Sequence, residues 1–138
     1  MTRRRIIAGN WKMNMRGDTA AALAKGLVTA VGDEPAVDVV LCPPFVYLDV
    51  VADAIAGTPI GLGAQNLYAA DDGAYTGEIN AGMLSDVGCR YVILGHSERR
   101  ALLGETDDQI SEKLHAALAG NPVSYTHLTL PTRSCQCR

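Results

Sequence analysis

Two hydrophobic periods alternate along this chain, and that alternation limits the fold more than any other feature. Short runs rich in Val, Ile and Leu give way to longer segments with helical spacing, and Gly, Pro, Asn or Asp marks each handover. The runs at Ile6–Asn10, Val37–Cys42, Ile60–Gln65 and Tyr91–Gly95 are short and nearly continuously apolar, the pattern of parallel strands buried on both faces. The chain therefore predicts an α/β fold of about four strand-helix units with parallel strands. Periodicity alone leaves two architectures open, a doubly wound sheet and part of a closed (β/α)8 barrel.

The intervening helices have readable ends. Asp18 precedes an Ala-rich segment, Thr19–Val31, with Leu23, Leu27 and Val31 at four-residue spacing and Gly32 in a C-cap position. Leu48–Ala56 and Ala81–Val87 are shorter, closed by Gly57 and Gly88. Thr106 and Gln109 have capping-box spacing before a stripe of Ile110, Leu114, Ala117 and Leu118.

Charge and composition exclude several function classes. The net charge is −3, and residues 123–138 contribute Arg133 and Arg138 without an acid, so the rest is more acidic still. That balance argues against a nucleic-acid partner, and the cluster Arg3-Arg4-Arg5 reads as a solvated approach to the first strand. Ile6-Ile7-Ala8-Gly9 is too short for a signal-peptide core or a membrane span, which makes a cytoplasmic location the default. Cys42 and Cys89 adjoin strands and read as buried free thiols. His127, Cys135 and Cys137 match no common zinc spacing, so no metal is expected.

Reactive groups in parallel α/β folds collect where strands end and loops converge. The first strand ends in Asn10-Trp11-Lys12-Met13-Asn14, the third leads into Gln65-Asn66 and a long loop through Thr76-Gly77-Glu78, and the fourth ends in Gly95-His96-Ser97-Glu98-Arg99-Arg100. On position alone, Lys12 reads as a solvated surface charge. His96 follows a strand and precedes Ser97, a residue able to cap a helix, so it would face the positive end of that helix and stay neutral. A neutral imidazole can donate a hydrogen bond to a carbonyl oxygen and stabilise an enolate-like charge, although a packed histidine fits the same position. Glu98 belongs to a solvated charge cluster or pairs with Lys12 across the site. Trp11 and Met13 read as packing residues.

Three separated motifs decide between these readings. Ala8-Gly9-Asn10-Trp11-Lys12-Met13-Asn14, Ala74-Tyr75-Thr76-Gly77-Glu78-Ile79 and Tyr91-Val92-Ile93-Leu94-Gly95-His96-Ser97-Glu98-Arg99-Arg100 closely resemble triosephosphate isomerases, in the family's order. Leu41-Cys42-Pro43-Pro44, Gly63-Ala64-Gln65-Asn66 and Gly104-Glu105 extend the resemblance over roughly residues 5 to 121. It implies a partial (β/α)8 barrel and the interconversion of dihydroxyacetone phosphate and glyceraldehyde 3-phosphate, in glycolysis and gluconeogenesis, without a cofactor. By motif position, His96 takes the place of the electrophile, which in this family is already established to be a neutral histidine working beside a glutamate base. Asn10 and Lys12 match the substrate-contacting pair, Lys12 also supporting the transition state. Glu98 matches the carboxylate that holds that lysine, with Ser97 beside it. Thr76 matches the tip of the loop that braces a neighbouring subunit, which implies a homodimer.

The departures carry expectations too. A complete barrel of this kind takes roughly 250 residues, and no segment of the 138 matches the family's catalytic glutamate, lid or phosphate-binding loops. After Asn121-Pro122 the resemblance stops, and Val123–Arg138 turns Thr-, Ser- and Cys-rich without a helical stripe. Residues 1–122 are thus expected to be the amino-terminal half of a barrel and 123–138 a tail of foreign origin, disordered. On this reading the chain alone is inactive. The alternative is a non-catalytic half-barrel that self-associates or binds anions weakly, with unpaired sheet edges at Ile6–Asn10 and Tyr91–Gly95.

Overall fold

The computed structural model describes residues 5–33, 36–120 and 126–128, the last three as backbone only. Among the described residues, five parallel strands, β1 (Arg5–Asn10), β2 (Val37–Cys42), β3 (Gly61–Ala64), β4 (Tyr91–Ile93) and β5 (Thr126–Leu128), lie side by side in the order β1-β2-β3-β4-β5. Strand order equal to chain order means that each crossover steps to the next position without reversal. A doubly wound sheet reverses direction at a switch point, so this order selects the barrel: the chain is a curled part of a (β/α)8 barrel. The longest pairing joins β1 to β2, from Arg5 opposite Val37 to Asn10 opposite Cys42.

Among the described residues, five α-helices lie between the strands: α1 (Gly17–Val31), α2 (Leu48–Ile55), α3 (Ala81–Asp86), and, both after β4, α4 (Ser97–Leu103) and α5 (Asp107–Ala119). They cover one face of the sheet. Ala20 and Ala24 of α1, Val51 and Ile55 of α2, Leu84 of α3 and Ala117 of α5 form one core with Leu41, Leu62, Ala64, Val92 and Leu94. The opposite face holds Val40, Cys42, Tyr91 and Ile93, with Ile6 beside them. Glycines in β3 leave room for that second layer. A Cβ at Gly61 would lie 2.6 Å from the Tyr91 ring, and one at Gly63 2.6 Å from Cys42 Sγ.

Several local expectations need correcting. The cap of α1 is Arg16, whose backbone N–H donates to Thr19 Oγ1 at 2.9 Å; Asp18 lies in the first turn and accepts from the Thr19 N–H at 2.8 Å. The buried stripe of α1 runs through Ala20 and Ala24, with Leu27, Val28 and Val31 half-buried; Leu23 is on the exposed side. Small alanines let the helix lie close to its neighbours, so the leucine spacing was the weaker guide. In α5 the capping box of Thr106 and Gln109 is present, but Leu118 is exposed and its place on the buried face is taken by Lys113.

The β4 edge expected to be open is paired with β5, Tyr91 opposite Thr126 and Ile93 opposite Leu128. Within the tail expected to be disordered, Thr126–Leu128 is therefore strand; Arg133, Cys135, Cys137 and the other tail residues, like Arg3 and Arg4, lie outside the described residues. Among the described residues, no helix is long and apolar enough to cross a membrane.

Candidate active site

The carboxyl ends of β1, β3 and β4 bring together Asn10, Lys12, Gln65, His96 and Glu98. Past Asn10, the Trp11 N–H still donates to the Cys42 carbonyl at 3.0 Å, which continues the β1–β2 ladder by one residue, and the Trp11 ring is buried. The next residue breaks the extended conformation: Lys12 has φ 55°, a left-handed geometry that side chains other than glycine adopt at a cost. Both peptide groups of Lys12 are held there. Its N–H donates to Asn10 Oδ1 at 2.9 Å, and its carbonyl accepts from Gln65 Nε2 at 2.8 Å. Met13, expected to pack, is 96% exposed, because the chain turns outward at this point.

From this turn the Lys12 ammonium forms an ion pair with Glu98 Oε1. The hydrogen bond from Lys12 holds the Glu98 carboxyl below the usual carboxylate range against the opposing effect of burial, so Glu98 is a carboxylate at neutral pH. Both partners remain about half exposed, which leaves the ammonium accessible to an anion.

His96 follows β4 and is itself the N-cap of α4; Ser97 is the first helical residue, not the cap. The Glu98 backbone N–H donates to His96 Nδ1 at 3.2 Å, a hydrogen bond that only an unprotonated Nδ1 can accept. In this arrangement the ring carries its proton on Nε2 and can donate it outward. The Glu98 Oε2 atom lies 3.5 Å from the same Nδ1 and would favour a proton there. The backbone hydrogen bond is the shorter contact and has the N–H aligned, so it sets the tautomer. The His96 side chain is largely buried, a restraint suited to holding one ring orientation.

Thr76 lies apart from these residues, on a loop whose positions 71–78 are all exposed. The base of the loop is closed by the Tyr68 N–H on the Ile79 carbonyl at 2.8 Å and by Asn80 Nδ2 on Asp72 Oδ1 at 2.7 Å. Tyr68 and Tyr75 pack with ring centroids 4.9 Å apart.

Beneath the site lies a polar cluster that the sequence analysis missed. Glu105 Oε1 accepts from Arg99 Nε at 3.2 Å and from the Lys113 ammonium, which also donates to Asn66 Oδ1 at 2.9 Å. Burial pushes the Glu105 carboxyl up, but the hydrogen bonds from Lys113 and Arg99 outweigh it and hold the group below its usual value. This cluster ties α4 and α5 to the loop after β3. The signal was a lysine on the buried side of α5, three residues after Ile110 and four before Ala117.

Cys42 and Cys89 are free and buried, and burial pushes both thiols up to about 12, which makes them inert. Among the described residues no group of His, Cys, Asp or Glu could hold a metal ion.

The sequence profile of triosephosphate isomerase matches residues 5–124. The chain is 72% identical over 123 residues to a triosephosphate isomerase of Rhodopirellula baltica, covering 89% of this chain and 48% of that relative. It is 52% identical over 121 residues to a triosephosphate isomerase of Alcanivorax borkumensis, covering 87% and 47%. The chain spans about half the length of the curated relatives it matches. A profile match over most of the chain, on a barrel-ordered sheet with these residues at its strand ends, means that the chain belongs to the triosephosphate isomerase family.

Proposed function

We propose that Asn10, Lys12, His96 and Glu98 form the electrophilic part of a site for interconverting dihydroxyacetone phosphate and glyceraldehyde 3-phosphate. The observation that carries this reading is the hydrogen bond from the Glu98 N–H to His96 Nδ1, which leaves Nε2–H as the outward donor. In the reaction a base removes a proton from the carbon beside the carbonyl, and the electron pair moves onto the carbonyl oxygen. His96 Nε2–H donates to that oxygen and relays a proton to it from the neighbouring hydroxyl, and the base returns its proton to the former carbonyl carbon as the new carbonyl forms on the other oxygen. Lys12 offsets the charge of the phosphate and of the enediolate, Asn10 contacts substrate, and Glu98, with Ser97 beside it, keeps Lys12 in place. The chemistry needs no cofactor. Thr76 fits a loop that braces a second subunit of a homodimer, and a glycolytic role fits a cytoplasmic location. The profile match ending at residue 124 supports a division of the chain close to residue 122.

The 138 residues contain no counterpart of the base, so by themselves they should not turn over substrate. Isomerase activity is to be measured for residues 1–138 alone and after adding a separately produced carboxy-terminal half of a relative. No activity alone, and activity on mixing that His96→Ala lowers in turnover far more than in Michaelis constant, is the expected result. Activity of the chain alone, or His96→Ala raising only the Michaelis constant, would overturn it.

One observation favours the second reading, self-association. Among the described residues β1 pairs only with β2, and Ile7 on this edge strand is 62% exposed. Light scattering on the 138-residue chain should show oligomers, and a monodisperse monomer would remove this reading.

A further inference from the structure

Gln65 has no role in the reaction as described, yet its side chain joins the ends of three neighbouring strands. It follows β3, and its amide nitrogen donates to two backbone carbonyls, Cys42 at the end of β2 at 2.9 Å and Lys12 beyond β1 at 2.8 Å. An amide nitrogen has two N–H donors, and both are used here. The side-chain orientation is fixed by chemistry, because two carbonyl oxygens can be faced only by the nitrogen.

The Cys42 carbonyl also accepts from the Trp11 N–H, so the peptides on either side of the Trp11–Lys12 step are tied to one point. Lys12 needs that support. Its φ of 55° is disfavoured for a lysine, and the residue is exposed, so no packing holds it there. The Asn10 side chain secures the Lys12 N–H from within the same turn, whereas the Lys12 carbonyl is held from β3.

We propose that Gln65 is a positioning residue: its two amide N–H groups, on the Lys12 and Cys42 carbonyls, fix the left-handed turn at Lys12 and thereby aim the ammonium at Glu98 beside His96. The consequence for substrate binding rests on the isomerase reading above; the consequence for Lys12 does not. A methionine at position 65 would keep the length of the side chain and lose both donors. A glutamate would keep its shape and set a carboxylate against two carbonyl oxygens.

The chain has three lysines, and they provide the test. Lys25 is exposed on α1 and serves as the internal reference, Lys113 is buried and reports the fold, and Lys12 reports the site. The full 138-residue chain is treated at low concentration with a limiting dose of acetic anhydride, and acetylation at each lysine is read by mass spectrometry. In Gln65→Met and Gln65→Glu, Lys12 labelling relative to Lys25 should rise by about fivefold, the population change that one net hydrogen bond supports. Lys113 should stay protected. An unchanged ratio in a variant that keeps Lys113 protected would overturn the proposal. Loss of Lys113 protection in both variants would overturn it too, since Gln65 would then support the whole fold and not Lys12 in particular.

A parallel arm with inorganic phosphate separates the two readings. Failure of phosphate to protect Lys12 in the unsubstituted chain would count against the isomerase reading, while the rise on substitution would still establish the positioning role.

Discussion

Two lysine–glutamate pairs of the same chemistry sit in opposite surroundings. At the strand ends, the side chains of Lys12 and Glu98 are 52% and 46% exposed; beneath them, those of Lys113 and Glu105 are 10% and 4% exposed. Water screens the first pair, which leaves its ammonium available to a ligand and gives the pair little hold on the fold. The second pair is out of water, so each charge depends on its partner, and the cluster with Arg99 and Asn66 is a structural joint between α4, α5 and the loop after β3. The difference separates a pair held inside the structural frame from a pair left open to solvent and ligands.

The largest expected effect comes from breaking the buried pair. Glu105→Ala removes the acceptor shared by Lys113 and Arg99 and leaves a buried ammonium with Asn66 as its remaining partner. The cost should be about 3–5 kcal/mol, read as a lower urea midpoint. Lys113→Met should cost less, about 1–3 kcal/mol, because Glu105 keeps Arg99. Equal and small losses for both would erase the contrast between the two pairs.

Acid sharpens the same comparison. The Glu105 carboxyl titrates below its ordinary value of 4.5 in the folded chain, so the folded state binds this proton less readily than the unfolded state. The resulting stability is fully present above the unfolded value and is lost as pH falls through the folded one. Urea midpoints should therefore drop steeply below about pH 4.5, and less steeply in Glu105→Gln, which has no proton to take up. A parallel pH dependence in the two proteins would show that other carboxylates govern acid unfolding.

How far the sequence disclosed these features depended on the kind of interaction involved. The strand-helix alternation fixed the elements, since burial imposes a period that can be read locally, and only small shifts separate expectation from structure, as in β3. Strand order is a relation between distant segments, so periodicity left it open and the family motifs supplied it. Lys12, His96 and Glu98 stood out as reactive types at strand ends. Gln65 did not, because its partners are backbone carbonyls 53 and 23 positions away, and any residue presents a carbonyl. Lys113 was hidden for the opposite reason: a helical lysine is ordinarily solvated, and only the burial of Glu105 and Asn66 around it gives it another role. At α4, Ser97 looked like the cap, but the ring nitrogen of His96 makes that hydrogen bond instead.

The smallest expected effect lies in the exposed pair, and its smallness is the informative result. Lys12→Met and Glu98→Gln should each change stability by less than about 1 kcal/mol, and the change should shrink further in high salt, because the pair is screened and each side chain can be solvated alone. Lys12 also carries the cost of a left-handed backbone, which the substitution to methionine does not relieve, so no compensating gain is expected. The same two variants should differ sharply where a ligand is involved. Lys12→Met removes the ammonium and with it any binding of inorganic phosphate at the strand ends. Glu98→Gln keeps the ammonium but loosens it, so acetylation of Lys12 relative to Lys25 should rise while Lys113 stays protected. Should either variant lower the urea midpoint as far as Glu105→Ala does, the exposed pair would be part of the structural frame, and the distinction between the two pairs would fail.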